Sequence, residues 1–253
     1  MSPSIEFARQ EVRLASGSVP YLAAGSGRPL LYLHSTGGIK VTKPLEALAA
    51  THRVLVPVMP GFDDTADHPG VATMSDLADL VAAFLDRIEV SACDAIGHSF
   101  GGYLALWFAL KHPKRVEQMV LEAPAGLRFG AAAAPQAAAG DARQERNRRA
   151  RDRYGTGKPV DETLAARAGE ISARTLILFG TRDLSIPRET GIFLKAKLPA
   201  SHLAYVYDAG HSIEVDQPAR FLRIVAAYLE RGEAYIVNWG ASGLSAVPGG
   251  LRT

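Results

Sequence analysis

Ser99 lies in the stretch I-G-H-S-F-G-G, residues 96–102, with Gly97 two positions before it and Gly101 two positions after. A serine hydroxyl can attack an acyl carbonyl, but at neutral pH it is a weak nucleophile. It needs a base, and the base needs an acid to orient it. Glycine weakens a strand, so two glycines placed symmetrically about a serine mark a backbone with special demands. A sharp turn from strand into helix has such demands: the serine is held strained with its hydroxyl exposed, and its neighbours at two positions either side must be small. The helix that follows aims free backbone N–H groups at the same place, which suits an oxyanion. The stretch fits neither G-x-G-x-x-G nor a P-loop and lacks the P-loop lysine, so a phosphate cradle is the weaker reading.

The base and the acid are sought at strand ends, where open α/β sheets gather their ligands. In the order serine, acid, histidine, the run T-L-I-L-F-G (175–180) is followed by T-R-D-L-S-I-P and offers Asp183. The run L-A-Y-V-Y-D (203–208) is followed by A-G-H-S and offers His211. Glu122, at the end of the run 116–123, and Asp208, expected inside its strand, are the alternative acids. His52, His68, His98, His112 and His202 read as structural or solvated, because they lie in polar connections, at a helix end or beside the serine.

The elements that must position these residues alternate. Short apolar runs at 30–34, 53–58, 92–98, 116–123, 175–180 and 203–208 read as strands, and the runs 5–14 and 19–23 read as an antiparallel edge hairpin. Between them lie helical patterns at 44–50, from Thr73 (with Asp76 completing a capping box), after Ser99 to before Pro113, at 188–198 and at 218–231. Strands alternating with helices predict a mostly parallel sheet covered on both faces. Residues 126–171 break the rhythm as an insertion. They hold an Ala-rich piece and then a run with Arg143, Arg146, Arg148, Arg149, Arg151 and Arg153 against Glu145 and Asp152, read as a solvated helix face. Residues 232–253 form an extension that suits a packed tail, an oligomer contact or a frayed end.

Composition sets limits on the rest. With 253 residues the chain has room for one large domain, and 28 basic against 26 acidic residues give a net charge of +2, too balanced to call for a nucleic-acid or membrane partner. The lone Cys93 cannot form an internal disulfide, and the first residues lack the pattern of a signal peptide, so a cytoplasmic location is expected. No apolar run approaches the roughly 20 residues of a membrane-spanning helix. No Cys or His pair stands at metal-ligand spacing, so a structural zinc site is not expected, and a serine–histidine–acid mechanism requires no metal or cofactor.

Four ordered motifs, L-Y-L-H-S-T-G-G (31–38), V-M-P-G-F-D-D-T (58–65), G-H-S-F-G-G (97–102) and the pair G-T-R-D (180–183) with A-G-H-S-I-E-V-D-Q-P (209–218), make the chain resemble the α/β-hydrolase superfamily over residues 18–231. The resemblance implies a core of residues 1–125 and 172–231 and a cap, or lid, at 126–171. It implies a Ser99–Asp183–His211 triad and an oxyanion hole from the N–H groups of Thr36 and Phe100. Ser35 stands where the family usually has glycine; Ser35 and His34 are candidates for holding this loop or touching substrate. Asp63 and Asp64 stand in a turn usually built of small residues and are expected to be solvated. A serine nucleophile excludes the chemistry of the dehalogenases and epoxide hydrolases of this fold, which use aspartate. The expected activity is hydrolysis of a small carboxylic ester or related acyl compound. Carbon–carbon bond hydrolysis, acyl transfer, perhydrolysis and a non-catalytic ligand receptor are the alternatives. Carbon–carbon hydrolases of dienoic keto acids commonly carry Trp directly after the histidine, where this chain has Ser212. A homodimer is compatible with all of these readings.

Overall fold

The computed structural model describes residues 5–129 and 141–232. The chain opens with β1 (Ala8–Leu14) and β2 (Gly17–Ala24), then runs through β3 (Arg28–Leu33), α1 (Lys43–Leu48), β4 (His52–Pro57), α2 (Met74–Arg87), β5 (Cys93–His98), α3 (Phe100–Lys111) and β6 (Val116–Glu122). The second part holds α4 (Ala142–Tyr154), α5 (Glu162–Arg167), β7 (Arg174–Gly180), α6 (Arg188–Lys197), β8 (Ser201–Val206), α7 (Ile213–Asp216) and α8 (Pro218–Arg231), with one 3-10 turn at Ala168–Glu170. The eight strands form one sheet in the order β1-β2-β4-β3-β5-β6-β7-β8. β1 and β2 pair antiparallel as the expected edge hairpin, and β4, β3, β5, β6, β7 and β8 run parallel.

Alternation along the strands sends side chains to two cores. Leu31, Leu33, Leu55, Ala95, Leu121 and Ile177 face α2 and α3, whereas Leu30, Tyr32, Val54, Val56, Ile96 and Val120 face α1 and α8. In α8 the residues Phe221, Val225, Tyr228 and Leu229 recur at helical spacing and are all buried. Each such side chain contributes about 1.5–3 kcal/mol by leaving water. α3 is buried on nearly every face, between the sheet and α2, which is why its sequence shows no polar stripe. At α2 the Thr73 hydroxyl accepts from Asp76 N while Asp76 accepts from Thr73 N, the capping box that the sequence predicts.

The main revision is at the last strand. β8 begins at Ser201 and ends at Val206, so Asp208 lies beyond it, in a turn with φ 62°, and pairs with Arg182 at 3.2 Å. Residues 130–140 of the Ala-rich segment and 233–253 of the extension lie outside the described residues. Among those described, no helix is long and apolar enough to cross a membrane.

Candidate active site

Ser99 sits between the last residue of β5 and the first of α3 with φ 53° and ψ −110°, a conformation that costs a non-glycine residue about 1–3 kcal/mol. The surroundings enforce it. Ser99 N donates to Glu122 O on β6 at 2.9 Å, and Ser99 O accepts from Tyr103 N at 3.1 Å and Ala125 N at 2.9 Å. The flanking glycines are required by contact. A Cβ on Gly97 would stand 2.4 Å from Gly101 O, and one on Gly101 would stand 1.9 Å from Leu33 O. The two glycines therefore make room for each other and for β3.

Asp183 and His211 come to Ser99 from the turns after β7 and β8. His211 Nε2 lies 2.9 Å from Ser99 Oγ, and His211 Nδ1 lies 3.0 Å from Asp183 Oδ2. Asp183 Oδ1 accepts from Ser185 N at 2.7 Å and Ile186 N at 3.1 Å. Burial works against the Asp183 charge, but the His211 hydrogen bond and charge and these two N–H groups hold its carboxyl below the usual range. An ionised Asp183 can only accept, so Nδ1 carries the proton and the Nε2 lone pair faces the serine hydroxyl. The Asp183 side chain is 2% exposed, whereas that of His211 is 26% exposed, so the chain of hydrogen bonds is closed at the acid and opens toward solvent at the histidine, while Ser99 is buried beneath it. Glu122 makes no contact with His211 Nδ1; its carboxylate accepts from Glu214 N at 3.1 Å. Asp208 is turned toward Arg182.

The loop after β3 adjoins the serine, because Leu33 pairs with Gly97. Its internal bonds use most of its polar groups. His34 Nδ1 lies 2.8 Å from Ser35 O and its Nε2 3.1 Å from Met59 N, so Nδ1 donates and Nε2 accepts. Both ring nitrogens are thus occupied, and no nitrogen of His34 is left for a substrate. Ser35 Oγ accepts from Gly37 N at 3.2 Å, and Ser35 O accepts from Gly38 N at 3.0 Å, so Ser35 also serves the turn. Thr36 N–H has no acceptor among the described residues. Phe100 N–H precedes the first helical bond of α3, which Tyr103 N makes to Ser99 O.

Asp63 departs from the expected solvation. Its carboxylate accepts from Ile39 N at 2.9 Å, Arg143 Nε at 2.7 Å and Asn147 Nδ2 at 3.2 Å, and Asp63 N donates to Asn147 Oδ1 at 2.7 Å. It joins the loop after β3 to α4. Part of the arginine run is accordingly tied down rather than free in water: Arg146 donates to Asp63 O at 2.6 Å and Arg153 pairs with Asp67. Tyr154 OH donates to Pro60 O at 2.9 Å. At the far end of the inserted segment, Asp161 accepts from Tyr103 OH at 2.5 Å and Trp107 Nε1 at 2.9 Å, which clamps the start of α5 to α3. Asn147 and Asp161 are structural ties with no signal in the sequence, because their partners are 54 to 84 positions away.

Comparison with known proteins agrees with this architecture. The chain is 26% identical to a 2-hydroxymuconate semialdehyde hydrolase of Pseudomonas sp. (strain CF600), over 85% of this chain and 91% of the relative. It is 28% identical to a 2-hydroxy-6-oxo-2,4-heptadienoate hydrolase of Pseudomonas putida, over 81% and 90%. Among solved structures, a meta-cleavage product hydrolase from Pseudomonas fluorescens matches with a TM-score of 0.72 at 22% identity, covering 87% of this chain and 97% of the other. A carboxylesterase from Bacillus subtilis matches with a TM-score of 0.70 at 18% identity, covering 89% and 92%. A sequence model for the alpha/beta hydrolase fold matches residues 28–156, from the first parallel strand through the serine turn and α4, and on this ground the chain belongs to the α/β-hydrolase fold family.

Proposed function

We propose that the protein is a serine hydrolase that opens an acyl compound through an acyl-enzyme, with an ester of a small carboxylic acid as the substrate class. The observation that carries this reading is the unbroken line Ser99 Oγ, His211 Nε2, His211 Nδ1, Asp183 Oδ2, at 2.9 and 3.0 Å, ending on a serine in a strained turn. His211 takes the hydroxyl proton as Ser99 Oγ bonds to the carbonyl carbon, and Asp183 stabilises the imidazolium. The electron pair displaced from the carbonyl rests on its oxygen, between Thr36 N–H and Phe100 N–H. His211 returns the proton to the departing alkoxide; a water molecule then repeats the sequence on the acyl-enzyme and releases the acid. Oxyanion contacts of this kind are worth about 3–4 kcal/mol each. The described residues of the insertion, 126–129 and 141–171, act as a cap, anchored through Asp63 and Asp161, that shapes the acyl pocket.

A second reading is hydrolysis of a carbon–carbon bond next to a ketone, supported by the named activities of relatives similar over more than four-fifths of this chain. The serine after His211 speaks against it. Parallel assays separate the two: release of p-nitrophenol from short-chain esters, and loss of the dienol absorbance of a 2-hydroxy-6-oxo-2,4-dienoate. The ester reading predicts a kcat/KM at least about tenfold higher on the esters, a difference of about 1.4 kcal/mol in transition-state binding. The reverse ratio replaces it with carbon–carbon hydrolysis.

A further inference from the structure

Behind Ser99 and His211 lies a group of buried polar side chains that the hydrolytic cycle does not use. His98 ends β5, Glu122 ends β6 and Glu214 lies in α7; one nitrogen or oxygen of each falls within 4.8 Å of the others. Tyr32 OH donates to Glu214 Oε1 at 2.5 Å, and Thr42 Oγ1 donates to Glu214 Oε2 at 3.1 Å. Two carboxyl groups and an imidazole in a dry interior are costly to bury. What they hold shows why they are there.

Two of their contacts end on the loop that carries His211. Glu122 Oε1 accepts from Glu214 N at 3.1 Å, just beyond that histidine in the chain. His98 Nε2 lies 2.9 Å from the His211 carbonyl oxygen. A carbonyl only accepts, so Nε2 carries the proton, and Nδ1 turns toward Glu214 Oε1, 4.0 Å away. His98 is also the covalent neighbour of Ser99. One peptide bond and one hydrogen bond therefore connect the nucleophile's backbone to that of its base, a much shorter route than through the sheet.

We infer that His98 is a positioning residue for His211, setting the distance between base and nucleophile through its Nε2–H bond to the His211 carbonyl. The inference rests on reading His211 as the base. Burial pushes His98 down to about 4, so the ring is neutral near pH 7. The centroids of the two imidazoles are 5.1 Å apart. A neutral His98 thus places no second positive charge beside His211 when His211 takes the proton.

Three variants test it. His98→Gln keeps an N–H donor at nearly the same reach; His98→Leu fills the volume without one; His98→Asn keeps an amide that stops short of the carbonyl. The readouts are the downfield NMR proton of His211 Nδ1–H, the rate of fluorophosphonate labelling, kcat and KM on p-nitrophenyl acetate, and Tm. Leu and Asn are expected to lower kcat and labelling by roughly 10- to 100-fold with KM little changed, as for a misplacement on the order of 1 Å. They are also expected to broaden or erase the His211 resonance, while Gln restores both. If Leu fails to fold, Asn against Gln decides the matter. The inference is overturned if Leu or Asn keeps the resonance and kcat, or if Gln loses as much as they do in step with Tm. A wild-type protein that shows the resonance but neither labels nor turns over esters refutes the hydrolase reading, and the NMR comparison of the variants still decides the positioning role.

Discussion

Asp183→Asn is the substitution whose outcome the geometry determines most closely. Asp183 Oδ1 takes N–H groups from Ser185 and Ile186 at 2.7 and 3.1 Å. The amide oxygen of the asparagine must stay there, because turning it would set an NH2 against two backbone donors, with each unpaired buried group costing about 1–3 kcal/mol. The NH2 then faces His211 Nδ1, which at 3.0 Å in the native chain is the donor of that hydrogen bond. Two donors cannot pair, so the imidazole proton moves to Nε2, where it points at Ser99 Oγ. The lone pair that would accept the serine proton is gone. The expected loss in kcat is about 10⁴-fold, roughly 5 kcal/mol, with the circular-dichroism spectrum unchanged. Steady-state hydrolysis of p-nitrophenyl acetate at saturating substrate measures it. A variant within tenfold of wild type, paired with a Glu122→Gln variant that loses about 10³-fold, would refute this reasoning and move the acid to β6.

Two other outcomes follow from the packing and the buried charges. Gly101→Ala drives a Cβ to 1.9 Å from Leu33 O, so α3 must shift off β3; a loss of about 3 kcal/mol or more is expected in urea denaturation, along with the labelling of Ser99. For Glu122, burial raises the carboxyl to about 8 from an ordinary 4.5, so the folded state binds a proton that the unfolded state releases across that window. Stability is full below pH 4.5 and is lost as pH rises through 8, by at most about 1.4 kcal/mol per pH unit for this group. Denaturant midpoints from pH 5 to 8.5 should show this decline, and Glu122→Gln should lessen it, the remainder coming from Glu214 and Asp94, which burial raises to about 7 and about 6. A wild-type curve that rises with pH would contradict the assignment.

Much of this site is legible in the sequence because local chemistry forces it. The spacing of Gly97 and Gly101 reports a helix pressed against a strand. Thr73 and Asp76 report a helix start through contacts three residues apart. Asp183 and His211 are readable because each follows the C-terminal end of an apolar strand, where open α/β sheets collect ligands. The members that escape are those whose meaning depends on distant partners. Asp63 reads as a solvated turn residue until Arg143 and Asn147 arrive from α4, 80 and 84 positions later. His98 reads as a bystander of the serine, since nothing near it in sequence announces that its ring meets the carbonyl of residue 211. The end of β8 is misplaced because Tyr207 continues the strand-like alternation of Tyr205 past Val206, but this strand is an edge, and both tyrosines are exposed.

The most direct test of the account is covalent capture of the nucleophile. The purified protein is incubated with a fluorophosphonate, digested, and the adduct located by peptide mass spectrometry. One adduct is expected, on Ser99, formed rapidly in the wild type and absent from Ser99→Ala and His211→Ala. A protein left unlabelled, or labelled at another serine with Ser99 untouched, would contradict it.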